Sequence, residues 1–301
     1  MQIQEDNLRL SRALVSLDGL SVGDAFGEKF FLHPDVVENI VAARAIPSLP
    51  WYYTDDTEMA LSIVAVLRKY GQIDQDQLAQ SFAHQYNSER GYGRAMHGLL
   101  EKIRNAEPWQ KVAPALFDGQ GSYGNGAAMR VAPVGAFFAD DLDLVGSVAR
   151  KSAEITHSHP EANAGAIAVS LAAAFACKLN TTRTWTSKGE FLGQIIPLVP
   201  DSEVKSQIIR AANLAENTSV HSAAQILGNG THVSAQDTVP FSLWCAAQQL
   251  DSYENALWLT VSGLGDRDTT CAIVGGIVAL SAGRESIPSE WLKAREALPV
   301  G

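Results

Sequence analysis

Residues 263–279 read Gly-Leu-Gly-Asp-Arg-Asp-Thr-Thr-Cys-Ala-Ile-Val-Gly-Gly-Ile-Val-Ala. Asp266, Asp268, Thr269 and Thr270 stand ahead of an apolar run, 271–282, that is long for a buried strand and short of the ~20 residues that cross a bilayer. The pattern predicts a core helix starting near Asp268. A second stretch repeats the design, with Thr54-Asp55-Asp56-Thr57-Glu58 running into Met59, Ala60, Leu61, Ile63 and Val64. Asp55 followed three residues later by Glu58 has the spacing of a capping box, and Asp268 or Thr269 can also cap a helix. A cap consumes one side-chain oxygen, whereas each motif offers three or more. Carboxylates crowded at a buried helix start cost several kcal/mol apiece unless a cation neutralises them. Oxygen donors of this kind suit Mg²⁺ or Mn²⁺, and two clusters brought together can hold a pair of ions.

Outward from these motifs the chain reads as helix after helix. Leu10, Ala13, Leu14, Leu17 and Leu20 recur at three- and four-residue spacing, and further helices are predicted over 75–86, 92–105, 143–152, 161–179, 189–199, 203–217, 222–227, 239–249 and 253–262. No useful run alternates apolar and polar as a half-buried strand does. Gly and Pro punctuate the helices without forming a linker. The expectation is all-α, one many-helix domain over 1–301.

Composition narrows the function classes. The 301 residues are 46% hydrophobic and 19% charged, enough apolar matter for a large core, with a net charge of -10. That charge argues against non-specific binding to nucleic acid or to an anionic membrane, both of which rely on Lys and Arg. The apolar stretches 164–177 and 271–282 are read as core helices rather than membrane spans. Cys177, Cys245 and Cys271 are widely spaced in apolar surroundings, as buried thiols are in a reducing compartment. Residues 1–7 show no signal-peptide pattern, so the expected location is the cytoplasm. Oligomeric state leaves no mark in the sequence.

Three other motifs carry chemistry. Gly23 and Gly27 bracket Asp24 where the first helix is expected to end, a carboxylate that the helix dipole disfavours and that therefore needs a partner. The tract 119–130 contains Gly121, Ser122, Tyr123, Gly124 and Asn125 and matches G-x-G-x-x-G, but it lacks the strand and βαβ context of a dinucleotide fold. Its exposed backbone N–H groups can still cradle phosphate, with Ser122, Asn125 and Arg130 as added donors. His157 and His159 with Glu161 precede an Ala-rich helix; Pro160 and the missing H-E-x-x-H spacing disfavour a zinc site, leaving an imidazole donor. No nucleophile elbow is present.

In order, the stretches GLSVGDAFG (19–27), YTDDTEMAL (53–61), GSYGNGAAMRVAP (121–133), THSHPEANAGA (156–166) and the opening one resemble the ADP-ribosylglycohydrolase family across nearly the whole chain. The resemblance implies an all-α fold with two Mg²⁺ or Mn²⁺ ions in a cleft. Carried over by motif, Thr54, Asp55 and Asp56 would bind one ion, Asp266 and Thr269 the other, and Asp268 both. Gly121, Ser122, Tyr123 and Asn125, with Gly124 between them, would hold diphosphate and ribose; His157 and Asp24 would serve the same ligand. The implied activity is release of ADP-ribose from an ADP-ribosylated protein or a small molecule, with Asp56 or Asp268 accepting a proton. A non-catalytic ADP-ribose-binding protein and a hydrolase of a free metabolite remain the alternatives. Two positions depart from relatives: Phe31 stands where some carry a Glu, with Glu28 nearby out of register, and Arg267 separates the two aspartates. An outward salt bridge is expected for Arg267.

Overall fold

Ser252 accepts a hydrogen bond from the Asn255 N–H and Gly263 follows the last turn, so the helix Tyr253–Ser262 occupies the span predicted for it. The computed structural model describes residues 2–182 and 187–299, with side chains from residue 7 onward. Among them helices dominate, and pairing of the β kind is confined to two isolated bridges, Trp51 with Arg295 and Gly124 with Ser234.

Five helices frame the site: α1 (Gln2–Glu28), α2 (Asp55–Tyr70), α3 (Pro160–Thr182), α4 (Ala235–Gln248) and α5 (Arg267–Ala282). The first runs through Gly19, Gly23 and Gly27 instead of ending at Gly23 as expected. Each interior Gly costs a helix about 1 kcal/mol relative to Ala, and the compensation lies in α5. A Cβ on Gly19 would stand 2.3 Å from the Gly275 carbonyl oxygen, one on Gly23 2.2 Å from that of Cys271, and one on Gly27 2.2 Å from that of Arg267. The two helices thus cross backbone to backbone. Ser16 and Tyr253 reinforce the crossing, with hydroxyls donating to the Gly276 carbonyl at 2.9 Å and the Gly19 carbonyl at 2.6 Å.

The long Ala-rich helix α3 packs against α5 and α4. At 23 residues it has the length and composition to cross a membrane, yet 89% of its most apolar window is buried inside the protein. It is a core helix, as its apolar faces predict. Below the end of α1, Phe26 stacks on Trp291 with ring centroids 4.5 Å apart and meets Trp51 and Trp258. This aromatic cluster ties α1 to the C-terminal helix Ser289–Ala294. The three cysteines are buried and unpaired.

Candidate active site

The crossing of α1 with α5 decides where Asp24 lies. Fully buried, Asp24 accepts hydrogen bonds from the N–H groups of Thr54 (3.0 Å) and Thr57 (3.1 Å) and from both hydroxyls. The partner demanded by a carboxylate near a helix C-terminus is therefore the N-terminus of α2, whose dipole favours an anion. Asp24 has no surface left for a ligand and acts through the threonines. The Thr54 hydroxyl, 2.9 Å from oxygens of both Asp24 and Asp56, shares one proton between two carboxylates. Thr57 was not singled out by the sequence motif, which an ordinary first-turn residue would equally satisfy.

Asp55 and Asp56 open α2, while Asp266 and Asp268 flank the start of α5. Burial, followed by the charge of Asp24, pushes Asp55 up to about 8. Burial and then Asp24 and Asp268 push Asp56 well above the carboxylate range. Burial with Asp266 and Asp24 does the same to Asp268. Burial also raises Asp24 to about 6, with the threonine hydrogen bonds opposing it. Five acids drawn together this way stay ionised only beside a cation.

Asp56 Oδ1 and Asp268 Oδ1 are buried and accept no hydrogen bond. Two orphaned carboxylate oxygens in an all-oxygen donor set fit a hard divalent ion. Among the described residues no three His, Cys, Asp or Glu side chains form a closed ligand group by themselves. Hydroxyls such as those of Thr54 and Thr269, or water, would complete the set.

The glycine-rich tract reaches this cluster through Asn125, whose buried amide donates to Asp266 Oδ2 at 2.7 Å and to the Thr238 hydroxyl at 3.0 Å. The backbone N–H of Asn125 goes to Val233 O, and that of Gly124 to the Ser122 hydroxyl. Among the described residues the N–H groups of Ser122 and Tyr123 have no protein acceptor. Gly121, with φ +75°, and Gly126 leave no room for a side chain, since a Cβ would stand 2.1 Å from Ser158 Oγ and 2.8 Å from His157 Cε1, and at Gly124 it would sit tightly, 3.2 Å from His157 Nε2.

His157 therefore supports the tract from below. Its Nδ1 lies 2.7 Å from the Thr156 hydroxyl, and burial, followed by the charge of Arg130, lowers its pKa to about 3. Arg130 is not the phosphate donor its position suggested. It is fully buried, donating to Ser152 O and Thr156 Oγ1 with its guanidinium 4.5 Å over the Phe82 ring. Tyr123 is the half-exposed member of the tract, its ring stacked near Phe117 at 6.3 Å and edge-on to His159.

A cavity of about 350 Å³ opens beside the acids, lined by residues that include Glu28, Tyr52, Thr54, Arg90 and Asp268. At the cavity wall, partial desolvation of Glu28 and then the charge of Asp24 raise its pKa. Arg267 makes no ion pair among the described residues. Its guanidinium lies 5.2 Å over the Phe31 ring, which replaces the expected outward salt bridge. Tyr53 and Arg90 also line the cavity; neither is among the expected site residues, although Tyr53 opens the YTDDTEMAL stretch.

The sequence model of a family described as ADP-ribosylglycohydrolase matches residues 5–299. The chain is 28% identical to ADP-ribosylhydrolase ARH3 of Homo sapiens, over 95% of this chain and 90% of that protein. It is 26% identical to ADP-ribosylarginine hydrolase Tri1 of Pseudomonas putida (strain GB-1), over 94% of this chain and 74% of that one. A solved structure titled ADP-ribosylglycohydrolase-related protein complex superposes with a TM-score of 0.66 at 24% identity, covering 96% of this chain and 93% of that chain, and shares the fold.

Proposed function

Because the chain belongs to the ADP-ribosylglycohydrolase family, we propose that it hydrolyses the bond at the ribose anomeric carbon of ADP-ribosylated substrates, protein side chains foremost, and frees ADP-ribose. The observation that carries this reading is the meeting of Asp55 and Asp56 with Asp266 and Asp268 beside a cavity that Thr54 and Asp268 line. In this reading Thr54, Asp55 and Asp56 would hold one Mg²⁺ or Mn²⁺ and Asp266 and Thr269 a second, with Asp268 serving both. When bound, such ions supply Lewis-acid charge and lower the pKa of water.

The chain's own residues do the rest. Ser122 and Tyr123 offer free N–H donors to the diphosphate, and the exposed Tyr123 ring offers a stacking face. Asn125 orients Asp266. Proton transfer falls to Asp268, which borders the cavity, rather than to Asp56, which is 1% exposed and does not line it.

The test is ADP-ribose release from arginine-, serine- and otherwise-linked ADP-ribosyl substrates, with Mg²⁺, with Mn²⁺ and with EDTA. Metal-dependent release from one linkage supports the reading and names the acceptor. Tight ADP-ribose binding without release from any linkage would replace it with a binding protein.

A further inference from the structure

The segment after the C-terminal helix bonds to the stretch 51–53 that leads into one wall of the cavity. Trp51 donates its N–H to Ala294 O at 3.0 Å, and Glu296 returns its N–H to Trp51 O at 2.9 Å. From that fixed point the Glu296 carboxylate serves two groups. Oε1 accepts the Tyr53 N–H at 3.0 Å, and Arg90 donates to Oε1 through Nη1 and to Oε2 through Nη2 at 3.4 Å.

Arg90 passes the constraint on. Its Nη1 donates to Tyr53 O at 2.8 Å, its guanidinium lies 4.0 Å over the Tyr53 ring, and its carbonyl accepts the Asp55 N–H at 2.7 Å. Tyr53, Thr54, Arg90 and Gly91 all border the cavity. The other acid near Arg90 is already engaged: Glu58 Oε1 accepts from the Asn87 N–H and the Tyr92 hydroxyl, and Oε2 stands 3.9 Å from Arg90. One carboxylate, 206 residues from Arg90 in sequence, thus joins two walls of the cavity and reaches the backbone of Asp55.

We propose that Glu296 is a positioning residue, a strap that holds Tyr53 and Arg90 as the cavity wall and keeps Asp55 in place at the start of α2. The inference rests on the hydrolase reading for its substrate and on the acidic cluster alone for its ion. Bidentate recognition gives the strap its geometry as well as its strength, since a planar guanidinium fixes a carboxylate in direction.

The test compares wild type, Glu296→Ala and Glu296→Gln by Mn²⁺ titration, steady-state hydrolysis and thermal melting. Glu296→Ala is expected to weaken Mn²⁺ binding about tenfold, the scale of lost outer-shell support. KM should rise about tenfold with kcat nearly unchanged, as loss of uniform binding requires. Glu296→Gln keeps an acceptor for the Tyr53 N–H and should recover the Mn²⁺ affinity while KM stays high, because Arg90 has lost its ion pair. Wild-type Mn²⁺ affinity in Glu296→Ala overturns the strap whatever the activity. So do equal losses in both variants that merely track their melting points. If wild type releases no ADP-ribose but its Mn²⁺ affinity still falls in Glu296→Ala, the strap stands and the hydrolase reading fails.

Discussion

The Asn125 amide lies 2.7 Å from Asp266 Oδ2, so the glycine-rich tract and the acidic cluster are joined by one hydrogen bond. Asn125→Ala should therefore weaken divalent-ion binding, not only ligand binding. Loss of a group that orients a metal ligand costs about 10–100-fold in affinity. Isothermal titration with Mn²⁺ checks this, and a wild-type isotherm would remove Asn125 from the site's support.

Tyr123 should matter for affinity through its ring. Stacking of a base on an aromatic side chain is worth about 1–3 kcal/mol, so Tyr123→Ala should weaken ADP-ribose binding by about tenfold, with Tyr123→Phe close to wild type. Direct titration of ADP-ribose distinguishes the two variants. Equal losses in both would assign the effect to the hydroxyl.

The ion-free protein should lose stability as pH rises. Asp55 and Asp24 titrate at about 8 and about 6 in the fold against an ordinary 3.8, both raised first by burial. The folded state then binds more protons than the unfolded chain between those values, and stability falls as pH climbs through that window. Melting temperatures in EDTA from about pH 4 to 8 should decline, and saturating Mn²⁺ should abolish the decline by stabilising the ionised form. A flat profile in EDTA would show that the acids are not held in low dielectric.

His157 should stay neutral throughout the physiological range, since burial and Arg130 lower it to about 3. Its ring proton resonances should not move between about pH 5 and 8, where an ordinary imidazole titrates. A midpoint inside that range would put His157 in contact with water and with ligand.

Glycine substitutions separate the crossing from ordinary helix propensity. Gly23→Ala drives a methyl into the Cys271 carbonyl and should destabilise by about 1–3 kcal/mol or more. Gly98, inside the helix Arg94–Arg104 with nothing within 4 Å of an added Cβ, should gain about 0.5–1 kcal/mol on becoming Ala. Denaturant midpoints measure both, and destabilisation of equal size would mean that backbone contact is not what Gly23 provides.

The two acidic motifs were legible because their chemistry is local: three or more oxygens ahead of an apolar run. Helices with a side-chain cap and a clear stop, such as Tyr253–Ser262, were legible for the same reason. The short turns Gly126–Met129 and Ala132–Phe137 escaped, being too brief to show a period, whereas Pro34–Ala43, as long as Tyr253–Ser262, escaped because no side chain caps its start and a left-handed Arg44, not a glycine, ends it. What local reading inverts is α1. Glycines that lower helix propensity looked like its end, and the reason they do not end it lies on α5. Arg130 misled in the same manner, since its sequence neighbours are the phosphate-type loop while its spatial neighbours are Ser152, Thr156 and Phe82.

The crossing of α1 with α5 also sets a schedule for synthesis. Ser16 bonds to Gly276, 260 residues further on, so the first helix leaves the ribosome about 10–50 s before the surface it must seat against, at ordinary elongation rates. Until then its glycine stripe is bare and Asp24, Asp55 and Asp56 lack the carboxylates opposite them. A nascent or prematurely released chain cannot assemble the ring of acids, and ion capture becomes a property that arrives only with the closing helices.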